Sequence, residues 1–207
     1  MPRVNTVKKC RKSPGSCTKC GAKIPTGQPY VWWQFAYSSK TIRCSSPGCA
    51  PKASDLTRSE FYQTLYGIQE GLDYAIQTFR EDGDGSALGS ALEGSAEEIR
   101  NLGEECREKY DNMPEGLQQG DTGQLLEERA DACEIKADEW DVAANEFDSY
   151  EEYEDIERFL LENPLEREEG ETDEEYTNRA KEAMNRDNEE KREAALIQMD
   201  IDTDLGI

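Results

Sequence analysis

Four cysteines open the chain in two close pairs, Cys17-x2-Cys20 and Cys44-x4-Cys49, separated by twenty-three residues. Sulfur is a soft donor, and two pairs carried on tight turns are the arrangement that closes a tetrahedron of thiolates around one Zn²⁺ at about 2.3 Å. Such a centre has no vacant coordination position, so it organises a fold and does not activate water. Gly21 follows the first pair and Pro47-Gly48 lies inside the second, each suited to curling the backbone beneath the sulfurs. We therefore expect one structural zinc held by Cys17, Cys20, Cys44 and Cys49. Cys10 is near enough to replace one ligand but reads as a spare thiol.

The usual parts of a catalytic site are missing. The chain has no histidine, no P-loop, no Gly-x-Ser-x-Gly elbow and no Gly-x-Gly-x-x-Gly turn. Its carboxylates are scattered over positions that water would wet. These observations point away from an enzyme.

The residues around the cysteines suggest contact with phosphates and bases. Arg3, Lys8, Lys9, Arg11 and Lys12 lie in a basic N-terminal arm, Lys19 lies inside the first cysteine pair and Lys23 three residues beyond it. Tyr30 to Tyr37 is rich in aromatic and β-branched residues and reads as a strand, turning through Ser38-Ser39-Lys40 into Thr41-Ile42-Arg43-Cys44. Alternation sets Val31, Trp33, Phe35 and Tyr37 on one face and Tyr30, Trp32, Gln34 and Ala36 on the other. A unit this small buries one face, which assigns Trp33 to the core. Trp32 either joins Trp33 in the core or sits with Tyr30 on the exposed face beside Lys40, Arg43, Lys19 and Lys23, the mixture of π surfaces and cations that binds DNA or RNA.

Cys-x2-Cys-Gly, the Ile24-x2-Gly27 turn, the aromatic strand and the second cysteine pair ahead of a helix resemble treble-clef and zinc-ribbon fingers related to the PARP-type finger. That likeness covers residues 1 to about 58 and implies binding of DNA or RNA by this part of the chain. The sequence departs from the PARP pattern in supplying Cys44 where that family uses histidine. A basic arm, a four-cysteine finger with a Trp-Trp pair and an acidic helical tail also resemble zinc-finger proteins encoded by bacteriophages.

The elements that must hold these residues divide by charge. Residues 1–58 carry eleven Lys or Arg against one acid, Asp55, a balance of +10, whereas residues 59–207 carry thirteen bases against forty-five acids, a balance of −32. Only 35% of the chain is hydrophobic and its mean hydropathy is −0.91, which argues against one large core. No apolar stretch approaches the roughly 18 residues of a membrane span, and no signal segment follows the basic N-terminus. Seven cysteines, an odd number, fit metal plus free thiols in a reducing cytoplasm, a host's if the chain is viral.

Helical periodicity begins after a capping box at Thr57-Arg58-Ser59-Glu60, with Phe61, Leu65, Ile68, Leu72, Ile76 and Phe79 on one stripe. A second helix uses Leu88, Leu92, Ile99, Leu102, Cys106, Tyr110 and Met113, weakened by glycines at 89, 94 and 103. A third repeats as a heptad through Leu126, Ala130, Cys133, Ala137, Trp140, Ala144 and Phe147. A short loop around residues 114–121 makes the last two an antiparallel hairpin, and the same stripe would serve a homodimer. Cys106 and Cys133 are placed to face one another as reduced thiols. Asp82, Asp84, Ser86 and Glu93 match part of an EF-hand loop, but Ala87 stands where the turn glycine is required, so a plain turn is favoured. Tyr150, Tyr153, Ile156, Phe159 and Leu160 suggest a short helix ending at Asn163-Pro164; beyond it the chain reads as a solvated or marginal helix.

The expected class is α+β: a flexible basic arm (1–14), a four-cysteine zinc domain with a β-hairpin (15–56), a helical coiled-coil body (57–163) and an acidic, partly disordered tail (164–207). Two functions fit this organisation. One is a nucleic-acid-binding adaptor whose helical body oligomerises or recruits a protein. The other is an acidic nucleic-acid mimic that inhibits a basic host protein.

Overall fold

A computed structural model describes residues 1–199. The tail expected from Asp200 to Ile207 lies outside the described residues. Contacts divide the chain into two compact units, Met1–Gly67 and a second that begins at Ile68. The division falls inside a helix, later than the boundary expected between residues 56 and 57.

The first unit holds five strands: β1 (Asn5–Val7), β2 (Gly15–Ser16), β3 (Lys23–Ile24), β4 (Tyr30–Trp33) and β5 (Thr41–Cys44). β2 and β3 pair as a small hairpin, and β1-β4-β5 form a separate antiparallel sheet. The arm expected to be flexible over residues 1–14 thus contributes a strand, with Asn5, Thr6 and Val7 opposite Trp32, Val31 and Tyr30. The reason is the edge of β4, whose backbone groups would otherwise lack ladder partners on that side. Cys10 ties the arm down further: its N–H donates to Gln28 O at 3.2 Å and its carbonyl accepts from Gly27 N at 2.9 Å.

β4 is half the expected length. Ser38 N donates to Phe35 O at 3.2 Å and Tyr37 takes φ 61°, so Gln34–Lys40 is a structured loop and the strand ends at Trp33. Beyond β5, one 3₁₀ turn covers Pro47–Cys49 and another Ser54–Leu56. Helix α1 then runs from Glu60 to Asp82. The reciprocal bonds of the expected capping box do not form: Thr57 Oγ1 accepts from Ser59 N at 3.2 Å instead of from Glu60 N, and Ser59 O accepts the first helical bond from Gln63 N at 2.9 Å.

In the second unit α2 (Gly85–Asp111) and α4 (Asp121–Phe147) pack antiparallel, joined through the single turn α3 (Glu115–Gln118). The heptad residues of α4 from Ala130 to Phe147 are buried, as are Leu88, Leu92, Ala96, Ile99, Leu102 and Cys106 of α2. Two glycines read from sequence as weaknesses are packing sites. A Cβ at Gly103 would lie 2.9 Å from Cβ of Cys133, and one at Gly89 would lie 3.2 Å from Ala144 O. Small residues on both helices let the backbones approach this closely. Arg100 bridges to Asp141 at 2.7 Å, and Arg107 pairs with Glu134, fastening the exposed flanks of the hairpin.

Phe79 of α1 meets Phe147 and Tyr150 edge-on, each at 5.1 Å between ring centroids. The expected short helix is α5 (Ile156–Glu162); Tyr150 and Tyr153 precede it and pack as loop residues. Residues 173–199, read as marginal, form the helix α6 (Asp173–Met199). Polar groups anchor it. Asn188 bonds both backbone groups of Tyr153, at 3.1 and 3.0 Å, and Arg192 clasps Glu152 at 2.6 and 2.8 Å while donating to the carbonyls of Arg80 and Glu81 at the end of α1. A search for apolar periodicity is blind to such an anchor. No helix among the described residues is long and apolar enough to cross a membrane.

Candidate metal centre

The first cysteine pair sits between β2 and β3. Cys17 N donates to Ala22 O at 2.8 Å and Gly21 N to Cys17 O at 2.9 Å, with Gly21 at φ 73°, a left-handed conformation that glycine adopts without steric cost. The second pair spans the end of β5 and the following 3₁₀ turn, where Cys49 N donates to Ser46 O at 2.8 Å. Thr18 joins the halves: its N–H and its hydroxyl both donate to Ile42 O, at 2.8 and 2.9 Å. Thr18 was not among the expected site residues, because a hydroxyl inside a knuckle carries no sequence signal of the partner it will find.

These turns bring the four sulfurs of Cys17, Cys20, Cys44 and Cys49 within 4.8 Å of one another. Cys20 and Cys44 Sγ are 3.8 Å apart, matching the edge of about 3.8 Å that a tetrahedron with metal–sulfur bonds of about 2.3 Å requires. Cys17, Ile24 and Cys49 form a buried cluster with Tyr30, Ile42 and Cys44 packed against it, while Cys20 faces solvent. The site has an apolar floor and one open edge.

The electrostatics ask for a cation. Burial alone pushes the Cys17 thiol up, but hydrogen bonds from the backbone of Cys20, Cys44 and Lys19 outweigh it and bring it down to about 6. Cys49 is pushed up to about 12, first by its hydrogen bond with Cys44, then by burial and by the other two sulfurs. Without a cation the cluster resists carrying four negative charges; a divalent ion removes that conflict. The donor set, spacing and charge all fit one tetrahedral metal ion. Cys10 stands apart, buried, with its thiol donating to Pro25 O at 3.2 Å.

The other expected site residues differ in where they lie. Arg3, Lys8, Lys9, Arg11, Lys12, Lys19, Lys23 and Lys40 are all exposed, and among the described residues none makes an ion pair. Trp32 is half-buried, with Lys40 Nζ 4.2 Å from its ring centroid, so these two come together as expected. Tyr30 instead packs on the cysteine cluster, because its cross-strand partner is Cys44. Arg43 is a correction. It pairs with Val31 across the ladder and so lies on the face opposite Trp32, 8% exposed, near the buried Trp33 ring and bonded to Asp55 Oδ1 at 2.6 Å. Period-2 alternation applied to both strands at once, with the register known, would have separated Arg43 from Trp32.

Asp82 and Asp84 are used within a turn. Asp84 Oδ1 accepts from Ala87 N at 2.9 Å as the cap of α2, and the helix begins at Gly85, so Ser86 and Glu93 lie on it instead of on a calcium loop. Cys106 and Cys133 are buried inside the helical hairpin, and burial pushes the Cys133 thiol up to about 11, which keeps it protonated and unreactive. Among the described residues the four-cysteine cluster is the group able to hold a metal.

Comparisons with protein families, with curated proteins and with solved structures find no match to this chain. What the structure itself supports is the cluster of four cysteines, consistent with a zinc-finger-like site; no family or phage link is shown.

Proposed function

We propose that the chain is a nucleic-acid-binding adaptor whose first unit is organised by one structural zinc and whose acidic helices serve oligomerisation or recruitment of a protein. The observation that carries this reading is the coincidence of a tetrahedral-scale cysteine cluster with a surface of exposed, uncompensated cations. Sulfur ligation in a tetrahedron suits zinc or an iron–sulfur centre, and a lone four-cysteine site in a unit this small favours zinc. Zinc binding of this kind contributes on the order of 10 kcal/mol to folding.

The cations have a physical reason to bind phosphate. One acid, Asp55, precedes residue 59, and Arg43 already occupies it. Lys8, Lys9, Arg11, Lys12, Lys19 and Lys23 are left facing water, where neutralising phosphates releases condensed counterions. With a −32 balance beyond residue 58, nucleic acid is repelled from the rest of the chain and must meet the first unit. The heptad of α4 supports a coiled-coil reading of the helical hairpin, with its outer faces free for a second chain or another protein.

Replacing Lys8, Lys9, Arg11 and Lys12 by glutamine tests this. Affinity for a labelled oligonucleotide should fall, and the slope of log affinity against log salt should flatten by up to about three to four units. An unchanged slope would remove the arm from the interface.

A further inference from the structure

Tyr37 stands out in the β4–β5 loop. Its side chain is 107% exposed, its φ is 61°, and among the described residues it is the one non-glycine residue with positive φ. Glycine would hold that backbone conformation without strain, so a large side chain there calls for a reason outside the fold. Tyr37 itself makes no hydrogen bond or ring contact among the described residues.

The loop is braced on both sides of the ring it displays. Gln34 Nε2 donates to Ser38 O at 2.6 Å, Ser38 Oγ to Phe35 O at 3.0 Å, and Arg58 Nη2 to Ala36 O at 2.8 Å. The Arg58 guanidinium also lies 5.0 Å from the Phe35 ring centroid. Backbone carbonyls at 35, 36 and 38 are thereby fixed while the ring of residue 37 points free. The same hairpin carries the Trp32–Lys40 pair, and the exposed lysines of the knuckle lie in the same unit.

Building on the nucleic-acid reading of this unit, we infer that Tyr37 is a stacking platform for an unpaired base and that the preferred ligand is single-stranded nucleic acid. A tyrosine on a braced backbone has only two side-chain torsions to order on binding and offers a flat π face. Bases within a duplex are stacked on one another, so an aromatic side chain on a loop reaches base faces only where the strand is unpaired. Lysines supply phosphate contacts that do not depend on sequence, and Tyr37 supplies discrimination between paired and unpaired strands.

The test uses the 207-residue, zinc-loaded chain with two labelled probes. One is an oligo-dT of about 16 nucleotides, near the upper site size of small single-strand binders; the other is a mixed-sequence duplex with both ends closed by non-nucleotide linkers, so that it offers no unpaired base. Wild-type chain should prefer the single strand. Tyr37→Ala should weaken single-strand binding by about 5- to 150-fold, leaving the salt slope and duplex binding unchanged. Tyr37→Phe should retain the wild-type preference. Tyr37→Gly should lose affinity as Tyr37→Ala does with no fall in thermal midpoint, which separates stacking from a structural role. Tyr37→Ala binding the single strand as tightly as wild type, or losing affinity equally for both probes, would overturn the inference alone. Wild-type chain that binds neither probe would overturn the nucleic-acid reading and this inference with it.

Discussion

The Cys17 and Cys49 thiols are shifted in opposite directions, and the proton that Cys49 retains makes metal loading depend on pH. In the metal-free cluster Cys17, brought down to about 6, is already a thiolate at neutral pH, whereas Cys49, pushed up to about 12, still holds its proton. Zinc must displace that proton, so loading at pH about 7 should release protons and affinity should rise with pH. Below about 6 Cys17 also protonates and the fall should steepen. Competition against a chelating dye across pH checks this, and pH-independent affinity would exclude thiolate ligation. The clustering of the four cysteines was legible from spacing alone, because each knuckle turn brings its own pair together locally. Arg43 was not, since its face depends on which residue of β4 it opposes. Nor was Tyr37, whose exposure follows from a turn that cut the expected strand in half.

Gly94 and Gly103 share one helix and should respond to alanine with opposite signs. A Cβ at Gly94 meets nothing within 4 Å, so Gly94→Ala should stabilise α2 by up to about 1 kcal/mol through helix propensity. At Gly103 the added atom would lie 2.9 Å from Cβ of Cys133, and the resulting overpacking should make Gly103→Ala destabilising by about 1–2 kcal/mol. Thermal or urea unfolding of the two variants checks the pair; a gain in both would mean that α2 and α4 do not approach closely. The apolar stripes of α1, α2 and α4 were readable because burial imposes a period. Helix α6 was legible as a helix but read as solvated or marginal, because Asn188 and Arg192 hold it by hydrogen bonds that leave no such trace.

The two halves of the charge distribution should oppose each other in binding. Long-range repulsion between the acidic helices and a phosphate backbone predicts that a chain ending at Gly67 binds nucleic acid more tightly than the 207-residue chain. The gain should shrink with salt, since the Debye length is about 8 Å at physiological ionic strength. The cut belongs after Gly67, not at residue 58, because Phe61 and Leu65 are buried and fall within the first unit. An unchanged affinity at low salt would show that the acidic helices do not oppose binding. The charge split was plain from composition; the position of the boundary was not, because helix α1 runs through it without interruption. If a zinc-organised unit meets nucleic acid, fluorescence anisotropy of a labelled oligonucleotide, titrated with the chain at low salt before and after chelation, must register both the binding and its dependence on the metal. Binding that is present with zinc and lost on chelation is the predicted result; no affinity for any single- or double-stranded DNA or RNA, or binding indifferent to the metal, would contradict it.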